Sequence, residues 1–185
     1  MASTANSSSL NTWMTVFKAQ RRAGIIELSI DDEGEQGVAQ SSVLLVEDDP
    51  ADYRFVQRAF ERFKDEIKLF RVTNGDDAVA YIAGEGPYEN RGVHPFPLVI
   101  LLDLKLPRRS GFEVLQWLRS QRDSIHRLPV VVLSGSDEPK DVNRAYDYGA
   151  NSYLCKPNGF QQLERLADQF EAYWMKLNEF PNLQS

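Results

Sequence analysis

From residue 42 onward, short runs rich in β-branched residues alternate with longer segments in which apolar residues recur at helical spacing. This alternation restricts the fold, because a helix between two strands returns the chain so that the strands lie parallel, through a right-handed crossover. The predicted strands are Val43–Glu47, Ile67–Val72, Leu98–Leu102, Val130–Ser134 and Ser152–Leu154. The predicted helices are Pro50–Phe63, Asp76–Ala83, Gly111–Arg122, Pro139–Tyr148 and Phe160–Leu177. The sequence therefore predicts an α/β fold with a doubly wound, five-stranded parallel sheet.

The domain organisation follows from the length and from a change in composition near residue 42. A chain of 185 residues fits one domain of ordinary size with additional length. Residues 1–41 hold a polar start, an amphipathic stretch at Leu10–Phe17 and an acidic segment at 31–37, and we predict an N-terminal extension and linker, partly helical or disordered. The predicted domain spans residues 42–180, followed by a tail at 181–185.

Charge, hydropathy and cysteine content exclude several classes of protein. The net charge is −6 and the sequence has no dense stripe of lysine and arginine, so a nucleic-acid surface is not expected. The longest apolar runs are far shorter than the roughly 20 residues that span a bilayer, and the N-terminus does not resemble a secretory signal. The single cysteine, Cys155, fits a reducing compartment, so the expected location is the cytoplasm.

Polar residues stand where four of the predicted strands end. Glu47 ends the first strand and Asp48 follows it, Asp103 follows the third, Ser134 ends the fourth and Lys156 follows the fifth. In doubly wound sheets ligands bind at the carboxyl ends of the strands, so these side chains are expected to converge. Neighbouring carboxylates repel one another by about 4 kcal/mol per pair at an effective dielectric constant near 20. Oxygen ligands of this kind favour Mg²⁺, which the sequence therefore predicts as the cofactor.

A carboxylate in this position is also a nucleophile toward a phosphoryl group, with which it forms an acyl phosphate. Asp103 suits this role because it ends a buried strand and opens a loop. The charge that develops on the phosphoryl oxygens needs hydrogen-bond donors and cations, and Lys156 and Ser134 supply an ammonium and a hydroxyl.

Four motifs resemble the receiver domain of two-component response regulators. They are VLLVEDDP at residues 43–50, LLDLKLP at 101–107, VVVLSG at 130–135 and NSYLCKP at 151–157. The resemblance runs from about Val43 to Leu177, and all four motifs in order are much more specific than any one alone. It implies a flavodoxin-like receiver with strand order 2-1-3-4-5.

The resemblance also implies a role for each residue at the strand ends. Asp103 resembles the phosphoacceptor, and Lys156 resembles the phosphate-binding lysine, with a cis peptide bond to Pro157. Ser134 resembles the switch hydroxyl, and Tyr153 resembles the aromatic switch that changes rotamer. The residues implied to hold Mg²⁺ are Asp48, Asp103 and the backbone carbonyl of Lys105 directly, and Glu47 through water.

Within the family, the chain is similar to single-domain regulators of bacterial phytochrome-like histidine kinases. The shared features include LDLKLPRRSG and YDYGANSY, whereas Lys105 stands where that subgroup often has asparagine. A cation there is expected to pair with the phosphoryl group or to obstruct hydrolytic water. The implied partners are a sensor histidine kinase and a histidine phosphotransfer protein in a relay. The last predicted helix runs to Leu177 and adds Tyr173 and Phe180, more apolar surface than five short strands need, so a second copy bound through the fourth and fifth helices is also expected. We expect no output domain after residue 180.

Two alternatives belong to other functional classes. A phosphohydrolase of the haloacid dehalogenase type also uses an aspartate nucleophile, but it needs a second acid two residues later, where this chain has Lys105. The other alternative is a degenerate receiver that accepts no phosphoryl group and serves as a docking module, although here neither the acids nor the lysine are lost. The expected protein is therefore not an enzyme beyond catalysing its own phosphorylation and dephosphorylation.

Overall fold

The computed structural model describes residues 40–183, so the predicted stretch Leu10–Phe17 lies outside the described residues. The strands are β1 (Ser41–Val46), β2 (Ile67–Val72), β3 (Val99–Leu102), β4 (Val130–Ser134) and β5 (Ser152–Cys155). The helices are α1 (Pro50–Phe60), α2 (Gly75–Ala83), α3 (Gly111–Ser120), α4 (Pro139–Asp147) and α5 (Phe160–Phe170). In the described part of the chain, no helix is both long enough and apolar enough to cross a membrane.

The five strands form one parallel sheet in the order β2-β1-β3-β4-β5, which confirms the predicted fold class. Val46 at the end of β1 pairs with Val72 on one side and with Leu102 on the other. Leu102 pairs in turn with Val132, and Val132 with Tyr153. This register brings the carboxyl ends of β1 and β3 level with each other, so the residues that follow them lie side by side.

Two layers of helices bury the two faces of the sheet. Side chains alternate between the faces along each strand, so that Leu44 and Val46 of β1 join one core cluster and Val43 and Leu45 join the other. Helices α2, α3 and α4 cover the first cluster, and α1 and α5 cover the second. Because β1 and β3 are covered on both faces, nearly all of their side chains are apolar and buried.

The largest difference from the predicted helices lies at the end of the chain. The prediction treats Phe160–Leu177 as one α-helix, but the last seven residues, Glu171–Leu177, form a π-helix. In this wider helix residues five apart face each other, and Lys176 Nζ lies 2.6 Å from Glu171 Oε1. The carboxylate of Glu171 is buried, and the ammonium of Lys176 offsets the cost of burying its charge.

Residues after the helix stay in contact with the domain. Trp174 and Phe180 have ring centroids 6.4 Å apart. Leu183 packs against the cluster under α2, α3 and α4, and its carbonyl accepts a hydrogen bond from the Ser124 hydroxyl. The first residues of the predicted tail therefore pack on the body of the molecule, because apolar side chains there cover part of the core.

Candidate functional site

The predicted site residues lie at the carboxyl ends of β1, β3, β4 and β5, on one edge of the sheet. Glu47 follows β1 and is 1% exposed, and Asp103 follows β3 and is 7% exposed. Ser134 is the last residue of β4 and is fully buried, and Lys156 follows β5. The backbone amide of Lys156 donates to the carbonyl of Ser134 at 2.8 Å, which places the lysine beside the end of β4.

The ammonium of Lys156 is the centre of the site. Its Nζ lies 2.7 Å from Glu47 Oε2 and 3.1 Å from Asp103 Oδ2. It also lies 2.8 Å from Asp52 Oδ2, a third carboxylate that the sequence analysis missed. Asp52 reads in sequence as an acidic residue in the first turn of a helix, where the helix dipole favours it, so it gives no separate signal.

Burial and charge act in opposite directions on these groups. Burial raises the pKa of Glu47, and the hydrogen bond and charge of Lys156 offset this rise only in part. Burial by itself lowers the pKa of Lys156, but the bonds to Asp52 and Glu47 and the charge of Asp103 outweigh it, so that pKa is raised. The lysine is therefore positively charged at neutral pH and is surrounded by three carboxylates.

The carboxylates of Glu47, Asp48 and Asp103 form a cluster suited to a metal ion. One oxygen from each lies within 4.8 Å of the others. Asp48 is exposed, so one side of the cluster is open to solvent, as Mg²⁺ requires because it keeps several of its waters. Among the described residues, Glu47 Oε2 is buried and contacts the ammonium of Lys156, and a carboxylate oxygen with one such partner can also accept from a metal-bound water. The oxygen donors therefore fit a hard divalent cation.

The loop after Asp103 holds the aspartate in place. Asp103 Oδ1 accepts a hydrogen bond of 2.7 Å from the amide of Leu104, while Oδ2 faces Lys156. The loop then returns so that the amide of Gly111 donates to the carbonyl of Leu104 at 3.1 Å. A Cβ on Gly111 would lie 2.2 Å from the carbonyl oxygen of Asp103, so only glycine allows this approach. Lys105 is exposed within the loop.

The two predicted switch residues are linked through Ser136. The Tyr153 hydroxyl donates to the carbonyl of Ser136 at 2.8 Å, and the Ser136 amide approaches Ser134 Oγ at 3.4 Å. The Ser136 hydroxyl donates to Asp141 Oδ2 in α4 at 2.6 Å. The loop after β4 therefore connects the buried hydroxyl of Ser134, the half-buried ring of Tyr153 and the first turn of α4.

One expectation from the resemblance is wrong. The described residues contain no cis peptide bond, so the bond between Lys156 and Pro157 is trans. The trans isomer is the more stable one for most bonds that precede proline, and Lys156 lies in the site with a trans bond to Pro157.

Taken together, the parallel sheet of order 2-1-3-4-5 and the lysine among strand-end acids define a receiver-type α/β domain. Residues 43–168 match the response regulator receiver domain, and the chain belongs to this family. The resemblance in the sequence is thereby confirmed. Family membership places the chain among two-component signalling proteins rather than among phosphohydrolases of the haloacid dehalogenase type.

The relatives include regulators associated with phytochromes. The response regulator Rcp1 of Synechocystis sp. is 36% identical over 139 residues, which are 75% of this chain and 92% of Rcp1. The structure of the phosphorylated cyanobacterial phytochrome response regulator RcpA has a TM-score of 0.71 at 36% identity and covers 77% of this chain and 99% of RcpA. The Mn²⁺-bound form of Rcp1 has a TM-score of 0.68 at 35% identity and covers 76% of this chain and 99% of that one.

Proposed function

We propose that the chain is a phosphoacceptor response regulator that receives a phosphoryl group on Asp103 from a sensor histidine kinase. The observation that carries the proposal is the position of Lys156, whose ammonium contacts Asp103 and Glu47 beside the oxygen cluster of Glu47, Asp48 and Asp103. This arrangement joins a nucleophilic carboxylate, a fixed cation and a site for a second cation, as phosphoryl transfer demands.

In the proposed reaction, the Asp103 carboxylate attacks the phosphorus atom of a phosphohistidine. The new O–P bond forms as the P–N bond breaks, and the imidazole leaves with the electron pair and takes a proton from solvent. Glu47, Asp48, Asp103 and the backbone carbonyl of Lys105 would hold Mg²⁺, which when bound neutralises charge on the phosphoryl oxygens. Lys156 supports the same charge, since its Nζ already lies 3.1 Å from Asp103 Oδ2.

The phosphorylated state would be read through Ser134 and Tyr153. A phosphoryl group on Asp103 would attract the hydroxyl of Ser134, which now lies near the amide of Ser136. Movement of that loop would disturb the bond from Tyr153 to the Ser136 carbonyl and the bond from Ser136 to Asp141. Phosphorylation would thus change the surface formed by α4 and β5.

The proposed output is protein binding or dimerisation through α4 and α5. Tyr146 on α4 and Tyr173 and Leu177 beyond α5 are large apolar side chains that are more than half exposed. The proposed phosphodonor is a phytochrome-like histidine kinase, because relatives that align over nearly their whole length include a phytochrome response regulator. A histidine phosphotransfer protein is the proposed acceptor if the regulator works in a relay.

The test is to incubate the full chain with Mg²⁺ and acetyl phosphate and to measure intact mass and size-exclusion volume together. We expect one phosphoryl adduct in the wild type and none in Asp103→Asn, which is nearly isosteric and should keep the fold by circular dichroism. An earlier elution volume that depends on the adduct would identify dimerisation as the output.

The second candidate is a docking module that accepts no phosphoryl group. The same experiment distinguishes it from the phosphoacceptor. A folded wild type that binds Mg²⁺ but forms no adduct with acetyl phosphate or with a purified histidine kinase would contradict the proposal. An adduct that persists in Asp103→Asn would assign the chemistry to another residue.

A further inference from the structure

Arg71 on β2 makes an unusual contact with the segment that carries two of the acids. Its Nε donates to the carbonyl of Glu47 at 3.0 Å, and its Nη2 donates to the carbonyl of Asp48 at 2.9 Å. One guanidinium thus holds the backbone of both residues. The sequence gives no hint of this, because Arg71 lies within a strand and far from the acidic motif.

The contact begins where the backbone pairing of the two strands ends. β1 ends at Val46, and the amide of Glu47 donates to the carbonyl of Val72 at 3.0 Å. β2 also ends at Val72, and the chain then turns so that Asn74 can cap α2. Beyond this point the guanidinium of Arg71 supplies the donors for the next two carbonyls, because its planar fork presents several N–H groups in fixed directions.

Helix α1 fixes the other side of the guanidinium. The Cζ atom of Arg71 lies 4.3 Å from the centroid of the Tyr53 ring, a cation–π contact. Asp49, between the acidic pair and the helix, caps α1 by accepting from the amides of Ala51 and Asp52. The two-residue segment of Glu47 and Asp48 is therefore held on one side by Arg71 of β2 and on the other by α1, which follows it in the chain.

We propose that Arg71 is a positioning residue of the metal site. By holding the two carbonyls, it fixes the backbone from which the carboxylates of Glu47 and Asp48 reach the carboxylate of Asp103. This inference rests on the proposed function, because it assigns to Arg71 a role in binding the divalent cation. Arg71 itself is not a ligand, because a guanidinium donates hydrogen bonds and has no lone pair to offer a metal ion.

Charge and geometry make opposite predictions, which allows a decisive test. A guanidinium near the cluster repels a divalent cation, so if charge alone mattered, its removal would tighten Mg²⁺ binding. If Arg71 positions the acids, its removal loosens their backbone and weakens binding. Arg71→Lys separates the effects, since lysine keeps the charge but cannot bridge two carbonyls with a planar fork.

The experiment is a calorimetric titration of the full chain with Mg²⁺ in the absence of any phosphodonor. We expect Arg71→Lys to bind Mg²⁺ about tenfold more weakly than the wild type, as for changes to groups that orient metal ligands. Arg71→Met should also bind more weakly than the wild type, but no more weakly than Arg71→Lys, because it no longer repels the ion. The matched control is Lys68→Met on the same strand, whose exposed ammonium lies over Phe70 and should not affect Mg²⁺ affinity.

Urea unfolding in EDTA shows which variants are folded, and only folded variants are titrated with Mg²⁺. A weaker affinity is then due to lost positioning and not to loss of the fold. If Arg71→Lys does not fold, Tyr53→Leu removes the ring from the other side of the guanidinium and should weaken Mg²⁺ binding in the same direction. Wild-type affinity in a folded Arg71→Lys, or tighter binding in Arg71→Met, would overturn the inference. A wild type that binds no Mg²⁺ would instead count against the proposed function.

Discussion

Lys156 shows how much one side chain decides at this site. Its ammonium lies within 3.1 Å of carboxylate oxygens from three residues, Glu47, Asp52 and Asp103. The lysine, Glu47 and Asp103 are mostly buried, so the ion pairs among them are weakly screened by solvent, whereas the Asp52 side chain is more exposed. A phosphoryl group on Asp103 would therefore compete with Asp52 and Glu47 for the same cation.

At the residue scale we predict that Lys105 slows hydrolysis of the acyl phosphate. Lys105 is exposed two residues after Asp103, where its cation can pair with phosphoryl oxygens or obstruct water. Lys105→Asn should therefore lose the phosphoryl group several-fold faster than the wild type. The measurement is the decay of the adduct mass in Mg²⁺ after removal of acetyl phosphate.

Lys140→Asn is the matched control for that change. Lys140 is an exposed lysine on α4 that is paired with Glu138. Its loss should leave the decay rate unchanged. An adduct that decays in Lys105→Asn at the wild-type rate, or more slowly, would show that Lys105 has no protective role.

At the scale of elements, Arg119 joins α3 to the segments before β4 and β5. Its guanidinium donates to the carbonyls of Gly149, His126 and Leu128 and to the side-chain oxygen of Asn151, at 2.7 to 3.0 Å. Gly149 has a φ of +86°, and a Cβ there would lie 2.8 Å from the Arg119 side chain. The turn before β5 therefore needs glycine for its backbone and for the close arginine.

We predict that Arg119→Lys lowers the free energy of unfolding by about 3 kcal/mol, because one ammonium cannot satisfy four acceptors in different directions. Urea unfolding monitored by circular dichroism measures this change. Arg122→Lys, an exposed arginine just after the same helix, should differ from the wild type by less than about 0.5 kcal/mol. Equal losses in both variants would mean that the hydrogen bonds of Arg119 do not matter.

The start of α3 gives a prediction about pH. Ser110 and Glu113 form a capping box in which the Ser110 amide and hydroxyl both donate to Glu113 Oε2, at 2.8 and 2.7 Å. The hydrogen bonds from Ser110 hold the pKa of Glu113 below its ordinary value. Because the folded pKa is lowered, the stabilisation is present above the unfolded pKa and is lost as the pH falls through the folded pKa.

Glu113→Gln should therefore be less stable than the wild type at pH 7, and the two should converge as the pH falls through the lowered folded pKa of Glu113. The free energy of unfolding in urea at a series of pH values measures this convergence. A constant difference across the range would assign the effect of the substitution to something other than the charge of Glu113.

On the scale of the whole molecule, the acids at the site link metal binding to stability. Glu47, Asp52 and Asp103 lie beside one ammonium, and Asp48 joins Glu47 and Asp103 in the oxygen cluster. A divalent cation bound to this cluster would relieve repulsion in the folded state only. At a Mg²⁺ concentration one hundred times its dissociation constant, the expected stabilisation is about 2.7 kcal/mol. The midpoint of thermal unfolding should therefore be higher in Mg²⁺ than in EDTA.

Asp48→Asn is the variant that tests this link, because Asp48 is exposed and its amide keeps the shape of the side chain. We expect it to lose most of the shift caused by Mg²⁺. In EDTA it should be at least as stable as the wild type, since one repelling charge is gone. A shift of wild-type size in Asp48→Asn would place the bound ion elsewhere on the protein.

The sequence by itself determined the parallel α/β arrangement of the fold and the positions of most residues of the candidate site. Alternating strands and helices fix parallel pairing, because each crossover helix returns the chain in the same direction. Glu47, Asp103, Ser134 and Lys156 were predictable for the same reason, since each ends or directly follows a strand. The motifs around them carried the family resemblance, and with it the strand order.

Only the tertiary structure decided which other side chains reach the site. Asp52 meets Lys156, and Arg71 meets the carbonyls of Glu47 and Asp48, because α1 and β2 pack beside β1. Asp52 lies in a helix and Arg71 lies within a strand, and neither belongs to a motif that predicts its contact. The physical reason is that strand ends follow from local pattern, whereas contacts between side chains distant in sequence depend on how the elements pack.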